Sequence, residues 1–207
     1  MCWMSVCPGA LTRARVLSIA LSATLLSCGD SPTGPSTGAV NFAGRVLDYA
    51  TQSPVPNASV TFTQADSESV TFHTTSDANG SYSLTVLGTG VYATAVDGRT
   101  VGSAYVNGSA FRGDLFVDRG TCIARYGMVI DSKSLKPIRN ATILFGTRPT
   151  TDVDGWYRLD LGCPITLPPP GGTTIMVVSH PDYLGTQVGL GRGVFGVFRL
   201  DVPLDHR

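Results

Sequence analysis

Charge is scarce in this chain. Asp, Glu, Lys and Arg together make up 14% of 207 residues, Lys+Arg equals Asp+Glu at 15 each, and the formal net charge is zero. Glu68 is the sole glutamate, and Lys133 and Lys136 are the sole lysines. Without a basic run there is no electrostatic footprint for nucleic acid. So little charge also argues against a long surface helix or a coiled coil. Histidine is limited to His73, His180 and His206, with no His-x-x-x-His, His-x-x-Glu or Cys-x-x-Cys spacing, so metal chemistry has weak support. No Gly-x-Ser-x-Gly marks a hydrolase nucleophile. Glycine (24) and proline (13) are abundant, and 43% of residues are hydrophobic, too many for disorder throughout.

The beginning of the chain reads as an address. Arg13 and Arg15 precede an apolar run from Val16 to Leu26. At 11 residues that run is shorter than the roughly 20 a membrane helix needs. It ends Leu25-Leu26-Ser27-Cys28, which resembles the bacterial lipobox and implies that residues 1–27 are a signal peptide and that Cys28 carries lipid. An ordinary secretory signal is the alternative. Gly29 after the cysteine, where Asp would favour inner-membrane retention, implies the outer membrane. Residues 28–37 are, after the cysteine itself, Pro, Gly, Ser and Thr around a single Asp, with no apolar side chain to bury, and read as a flexible tether.

The remainder is duplicated. A shift of 83 residues aligns Gly44 with Gly127, Val46 with Val129, Asp48 with Asp131, Pro54 with Pro137, Asn57 with Asn140 and Phe62 with Phe145. A shift of 75 aligns Ser76-Asp77-Ala78-Asn79-Gly80-Ser81-Tyr82 with Thr151-Asp152-Val153-Asp154-Gly155-Trp156-Tyr157. The second copy is therefore 8 residues shorter between the blocks. Two copies are too few for a solenoid. Val40, Phe42 and Val46 alternate with Asn41, Ala43 and Arg45, Val60 and Phe62 with Ser59, Thr61 and Thr63, Tyr82, Leu84 and Val86 with Ser81, Ser83 and Thr85, and Ile143 and Phe145 with Thr142 and Leu144. Period-two runs between Gly, Pro, Asn and Asp clusters indicate an all-β chain with two tandem immunoglobulin-like antiparallel sandwiches, over residues 38–120 and 121–207.

The repeated pattern Gly-x-Val-x-Asp, Pro-Val-Pro-Asn-Ala-x-Val-x-Phe and Ser-Asp-x-Asn-Gly-x-Tyr-x-Leu resembles the carboxypeptidase regulatory-like (transthyretin-like) domain family. Val177 to Tyr183 is similar to its late strand, with Asp182 where Gly is usual. The resemblance implies a sandwich fold and no catalysis, since the family is named after an accessory domain.

Several residues are candidate sites. Asp152 and Asp154 before Gly155 are similar to the start of a weak calcium loop, but the same residues make a tight turn, the Asp capping its own backbone. Cys122 and Cys163 are available for a disulfide in an exported chain, closing a loop of about 40 residues worth roughly 3–4 kcal/mol in the chain-entropy model; two buried free thiols are the alternative. Tyr82 and Tyr157 take the same repeat position and face the core. Trp156 then points away, an outward aromatic for ligand contact unless the other copy or a loop covers it. His180 and Asp182 are the one acid–base pair a small hydrolase could use. These features point to a non-enzymatic, membrane-anchored envelope lipoprotein that binds or spaces, with polysaccharide or an envelope protein as partner, no cofactor and no nucleic acid. An accessory protein of an exported enzyme, or a small hydrolase, is the competing reading.

Overall fold

The structure is a computed structural model that describes residues 38–66, 70–106, 112–145, 148–163, 175–190 and 196–207. The described elements are all strands, as the alternating pattern requires. The first repeat supplies β1 (Ala39–Asp48), β2 (Ser59–Gln64), β3 (Thr71–Thr75), β4 (Ser81–Leu87), β5 (Gly90–Val96), β6 (Arg99–Val106) and β7 (Leu115–Val117). The second supplies β8 (Ile123–Asp131), β9 (Thr142–Leu144), β10 (Trp156–Gly162), β11 (Ile175–Ser179), β12 (Thr186–Gly189), β13 (Gly196–Leu200) and β14 (Val202–Leu204).

The repeats follow one plan. β1 pairs antiparallel with β4 and parallel with β7, while β8 pairs antiparallel with β10 and parallel with β14. Gly44 stands opposite Tyr82 in the first, Gly127 opposite Tyr157 in the second. The other paired strands of each repeat are β2, β5 and β6, or β9, β11 and β12. In the shortened stretch of the second copy the described residues hold a bridge, Thr142 to Thr150, where the first copy has Ser59 opposite Thr75 in β3.

The buried positions are those of the alternation. Phe42, Val60, Phe62, Tyr82, Val86 and Tyr92 form the centre of the first core. Phe42 and Phe62 meet edge to face at 4.6 Å, a geometry worth about 1 kcal/mol beyond burial. Val129, Ile143, Tyr157, Leu159, Met176 and Val178 centre the second. Each buried side chain of this size contributes roughly 1.5–3 kcal/mol.

The division at residue 120 falls in the link between β7 and β8, yet one sheet runs across it in the order β10-β8-β13-β6-β5-β2-β3. β13 makes the join. It pairs parallel with β8, Gly196 opposite Ile123 through Arg199 opposite Tyr126, and its other edge pairs parallel with β6, where Arg199 and Leu200 face Gly102 and Ser103. Gly102 permits the approach: its φ is +129°, and a Cβ there would lie 2.1 Å from the carbonyl oxygen of Arg199. A third cluster, with Leu47, Tyr49 and Phe116 from the first repeat and Tyr126, Met128 and Trp156 from the second, fills the junction.

Candidate functional site

The Asp-x-Asn/Asp-Gly segments are turns at the start of β4 and β10. Asp77 Oδ1 accepts the N–H groups of Asn79 and Ser81, both at 2.8 Å; Asp152 Oδ1 accepts those of Asp154 at 3.0 Å and Trp156 at 2.8 Å. Gly80 and Gly155 close the turns at φ +72° and +69°. The remaining Asp152 oxygen, Oδ2, lies 4.0 Å from Arg112 Nη1. The carboxylate that would open a calcium loop thus holds its own turn. Among the described residues no group of three His, Cys, Asp or Glu side chains converges as a metal site.

Trp156 does not present a face to solvent. It points away from the core that holds Tyr157, as strand alternation requires, but the first repeat covers that side and leaves it 8% exposed. The Arg112 guanidinium lies 4.6 Å from the ring centroid, that of Arg199 5.4 Å, and Tyr126 packs at 5.6 Å. The expected sugar-stacking residue is a junction residue instead.

Around it runs a polar network that the two aligned blocks did not disclose. Asp201 breaks the line between β13 and β14, and both its oxygens are used. Oδ1 accepts Met128 N–H at 3.0 Å and Arg199 Nε at 3.1 Å; Oδ2 accepts Tyr105 N–H at 2.8 Å and Arg199 Nη2 at 3.1 Å. Arg199 Nη1 donates to the carbonyls of Arg112 (2.8 Å) and Asp114 (3.2 Å). The side chains of Arg199 and Asp201 are 0% and 3% exposed. Within the first repeat Asp114 plays the same part, accepting Arg45 N–H at 3.2 Å and Arg112 Nε at 3.0 Å. Tyr157 donates to the Leu200 carbonyl at 2.7 Å, and Tyr82 to that of Gly113. Burial pushes the phenols of Tyr82, Tyr126 and Tyr157 well above their ordinary pKa, so they remain neutral donors. The missed signal was a third block at a shift of 87 residues: Phe111-Arg112-Gly113-Asp114-Leu115 against Phe198-Arg199-Leu200-Asp201-Val202.

Cys122 and Cys163 are joined in a disulfide, with Cα atoms 4.3 Å apart. His180 and Asp182 form a local turn: Asp182 N–H donates to His180 Nδ1 at 3.2 Å, and the His180 ring lies against Tyr183. That nitrogen is therefore occupied as an acceptor. His206 instead meets the Asp131 carboxylate, Nε2 to Oδ2 at 2.7 Å, and stacks on Tyr183. Cys28, the signal segment and the tether lie outside the described residues.

An open cleft of about 580 Å³ lies where the β5–β6 hairpin, the segment after β7 and β13 meet. Asp48, Asp97, Arg99, Asp118, Arg119 and Phe198 line it. Its three carboxylates serve backbone. Asp48 Oδ1 accepts Thr51 N–H at 2.9 Å, Asp97 Oδ1 accepts Ser59 N–H at 2.8 Å, and Asp118 accepts the N–H groups of Gly120, Thr121 and Cys122. The Thr51 N–H, against partial burial and aided by nearby Arg119, lowers the Asp48 pKa. The side chains of Arg99 and Arg119 are exposed and make no hydrogen bond or close ion pair with any described residue, Arg119 acting on Asp48 only at longer range.

Residues 41–110 match the model of the carboxypeptidase regulatory-like domain family. No curated protein matches the chain. Among solved structures, the Bacillus anthracis TIE protein is 12% identical over 81% of this chain, with a TM-score of 0.31. The match covers 34% of the TIE protein, so this chain spans about a third of that length. The minor pilin GBS52 of Streptococcus agalactiae is 10% identical over 81% of this chain and 96% of its own, with a TM-score of 0.31. A double mutant of the shaft pilin SpaA of Lactobacillus rhamnosus GG is 12% identical over 82% and 97%, with a TM-score of 0.29. Over the segment that carries β1 to β6, then, the chain is similar to a carboxypeptidase regulatory-like domain.

Proposed function

We propose that the protein is a non-catalytic envelope module, lipid-anchored through Cys28 in the outer membrane, whose two-repeat head binds or spaces an envelope polysaccharide or protein. The observation that carries this reading is the union of the repeats by β13. A sheet continuous across both repeats, locked by Arg199 and Asp201, suits a head that must hold a fixed shape at the end of a flexible tether. The match of residues 41–110 to a regulatory-like domain supports a role without catalysis. No helix among the described residues is long and apolar enough to cross a membrane, and the reading gives the attachment to acyl chains instead.

Fractionation tests the anchor. The wild-type chain is expected in the membrane fraction and the Cys28→Ala chain in the soluble exported fraction; a wild-type chain in the soluble fraction would remove the anchor. Capture on the exported Cys28→Ala chain tests binding. Specific retention of an envelope polysaccharide or protein supports a binding head, and no retention at high loading supports a spacer.

A further inference from the structure

We infer that the cleft at the junction of the repeats takes a carboxylate-bearing saccharide, with Arg99 and Arg119 holding the carboxylate and Phe198 forming the platform for the sugar ring. This rests on the binding form of the function proposed above, and it moves the contact from Trp156 to a place that is open.

Three observations carry it. The first is size: about 580 Å³ is enough for one or two sugar rings, within the range of small-ligand sites. The second is the division of polar labour. Asp48, Asp97 and Asp118 carry formal negative charge, but each already accepts backbone N–H groups that hold its turn. The side chains of Arg99 and Arg119 hydrogen-bond no described residue, and Arg119 acts on Asp48 only from a distance. A guanidinium offers five N–H donors in a planar fork that fits a carboxylate two bonds at a time, so these two forks, open to solvent, are the charged donors of the cleft that a ligand can take over from water. The neighbouring carboxylates favour a singly charged, planar acid over a doubly charged phosphate, since like charge in a cleft grows costlier with each added unit.

The third observation is Phe198. This residue is partly exposed and lines both this cleft and a smaller groove of about 240 Å³ across β6 and β13. Arg125 stands on the side of the smaller groove, its guanidinium 5.0 Å from the ring centroid. The ring on the cleft side offers an apolar face to the C–H face of a pyranose. An aromatic face beside uncommitted polar donors is a match for a ligand that is apolar on one side and hydroxylated at its rim.

The test titrates the exported Cys28→Ala chain with an oligogalacturonate, its methyl ester, a neutral dextran oligomer and inorganic phosphate. We expect saturable binding of the oligogalacturonate. The methyl ester, which keeps the sugar and removes the charge, should bind roughly tenfold or more weakly. The pair Arg99→Gln and Arg119→Gln should produce a similar loss with an unchanged melting temperature, since both side chains are exposed. Phe198→Leu should weaken the acid and the ester by the same factor. Equal binding of acid and ester overturns the carboxylate assignment, as does competition by phosphate at the same concentration. Oligogalacturonate affinity that survives the double arginine variant overturns the location. No oligogalacturonate binding overturns the inference. If the capture experiment still retains envelope material through residues elsewhere, the module reading stands without this cleft. If it retains nothing, the binding form of that reading falls with it.

Discussion

The Asp201 carboxylate, in the second repeat, accepts the backbone N–H of Tyr105 in the first at 2.8 Å. A charged group here does the work of a strand pairing where β6 and the β13–β14 line part. It survives burial because all its contacts are filled: two N–H groups and two guanidinium bonds.

Asp201→Asn should therefore be severe. It takes from the Arg199 guanidinium, 0% exposed, the carboxylate that meets it at 3.1 Å, and breaking such a buried pair costs about 3–5 kcal/mol. Asp114→Asn, whose Arg112 partner is 42% exposed, should cost about 1 kcal/mol. Urea unfolding of the two variants measures the difference, and equal losses would contradict the claim that the repeats bury this latch.

Trp156→Ala should act on stability. Loss of a buried tryptophan costs about 3–5 kcal/mol, and here it also bares two guanidiniums that share the ring. Leu87→Ala, at a site 59% exposed, should stay within about 0.5 kcal/mol. Thermal melts followed by tryptophan-independent circular dichroism would check both.

Gly102→Ala tests the shared sheet. The new Cβ would meet the Arg199 carbonyl at 2.1 Å from a backbone angle that side chains rarely adopt. A loss of about 2 kcal/mol or more is expected, with unfolding of the two repeats no longer coincident by different probes. Gly189→Ala, with nothing within 4 Å of the added carbon, should be neutral or slightly stabilising. A single unchanged transition in Gly102→Ala would count against β13 as the join.

Acid should weaken the fold through Asp131. Burial opposes its ionisation, but the Ser134 and Lys133 N–H groups, with the hydroxyls of Ser134 and Tyr183, outweigh that and bring its pKa from 3.8 to about 2. A folded value below the unfolded one means stability that is complete above about pH 4 and lost as pH falls toward 2. Asp48, at the same place in the first repeat, is shifted in the same direction. Stability measured from pH 6 to 2 should fall in that window, and the fall should be smaller in Asp131→Asn.

The local design was legible in the sequence because it depends on near neighbours. Asp77 and Asp152 cap turns within four residues, and the alternation of Phe42, Val60, Tyr82 and Ile143 predicts which side chains are buried. Tyr82 and Tyr157 face their cores as expected, at 4% and 2% exposure. Trp156 stays open in the sequence for the opposite reason. Its direction was right, but whether that direction meets water depends on the other repeat, which period-two patterning inside one copy cannot reveal. The third repeated block escaped because its shift, 87, differs from the 83 and 75 of the others, and because Gly113 against Leu200 interrupts it. The cleft is assembled from β1, the β5–β6 hairpin, the segment after β7 and β13, so no local pattern announces it.

The join made by β13 also bears on timing. Tyr105 and Asp201 are 96 positions apart, and β13 and β14 come late in the chain. A chain delivered from its N-terminus can form β1 to β6 early, but it cannot complete the sheet until these strands emerge. Contacts so remote in sequence are slow to close. Until they do, the open edge of β6 and the apolar junction around Tyr49 and Phe116 stay uncovered, a state prone to wrong pairing. If a signal directs this chain across a membrane unfolded, the late join keeps the head from locking before transport is complete.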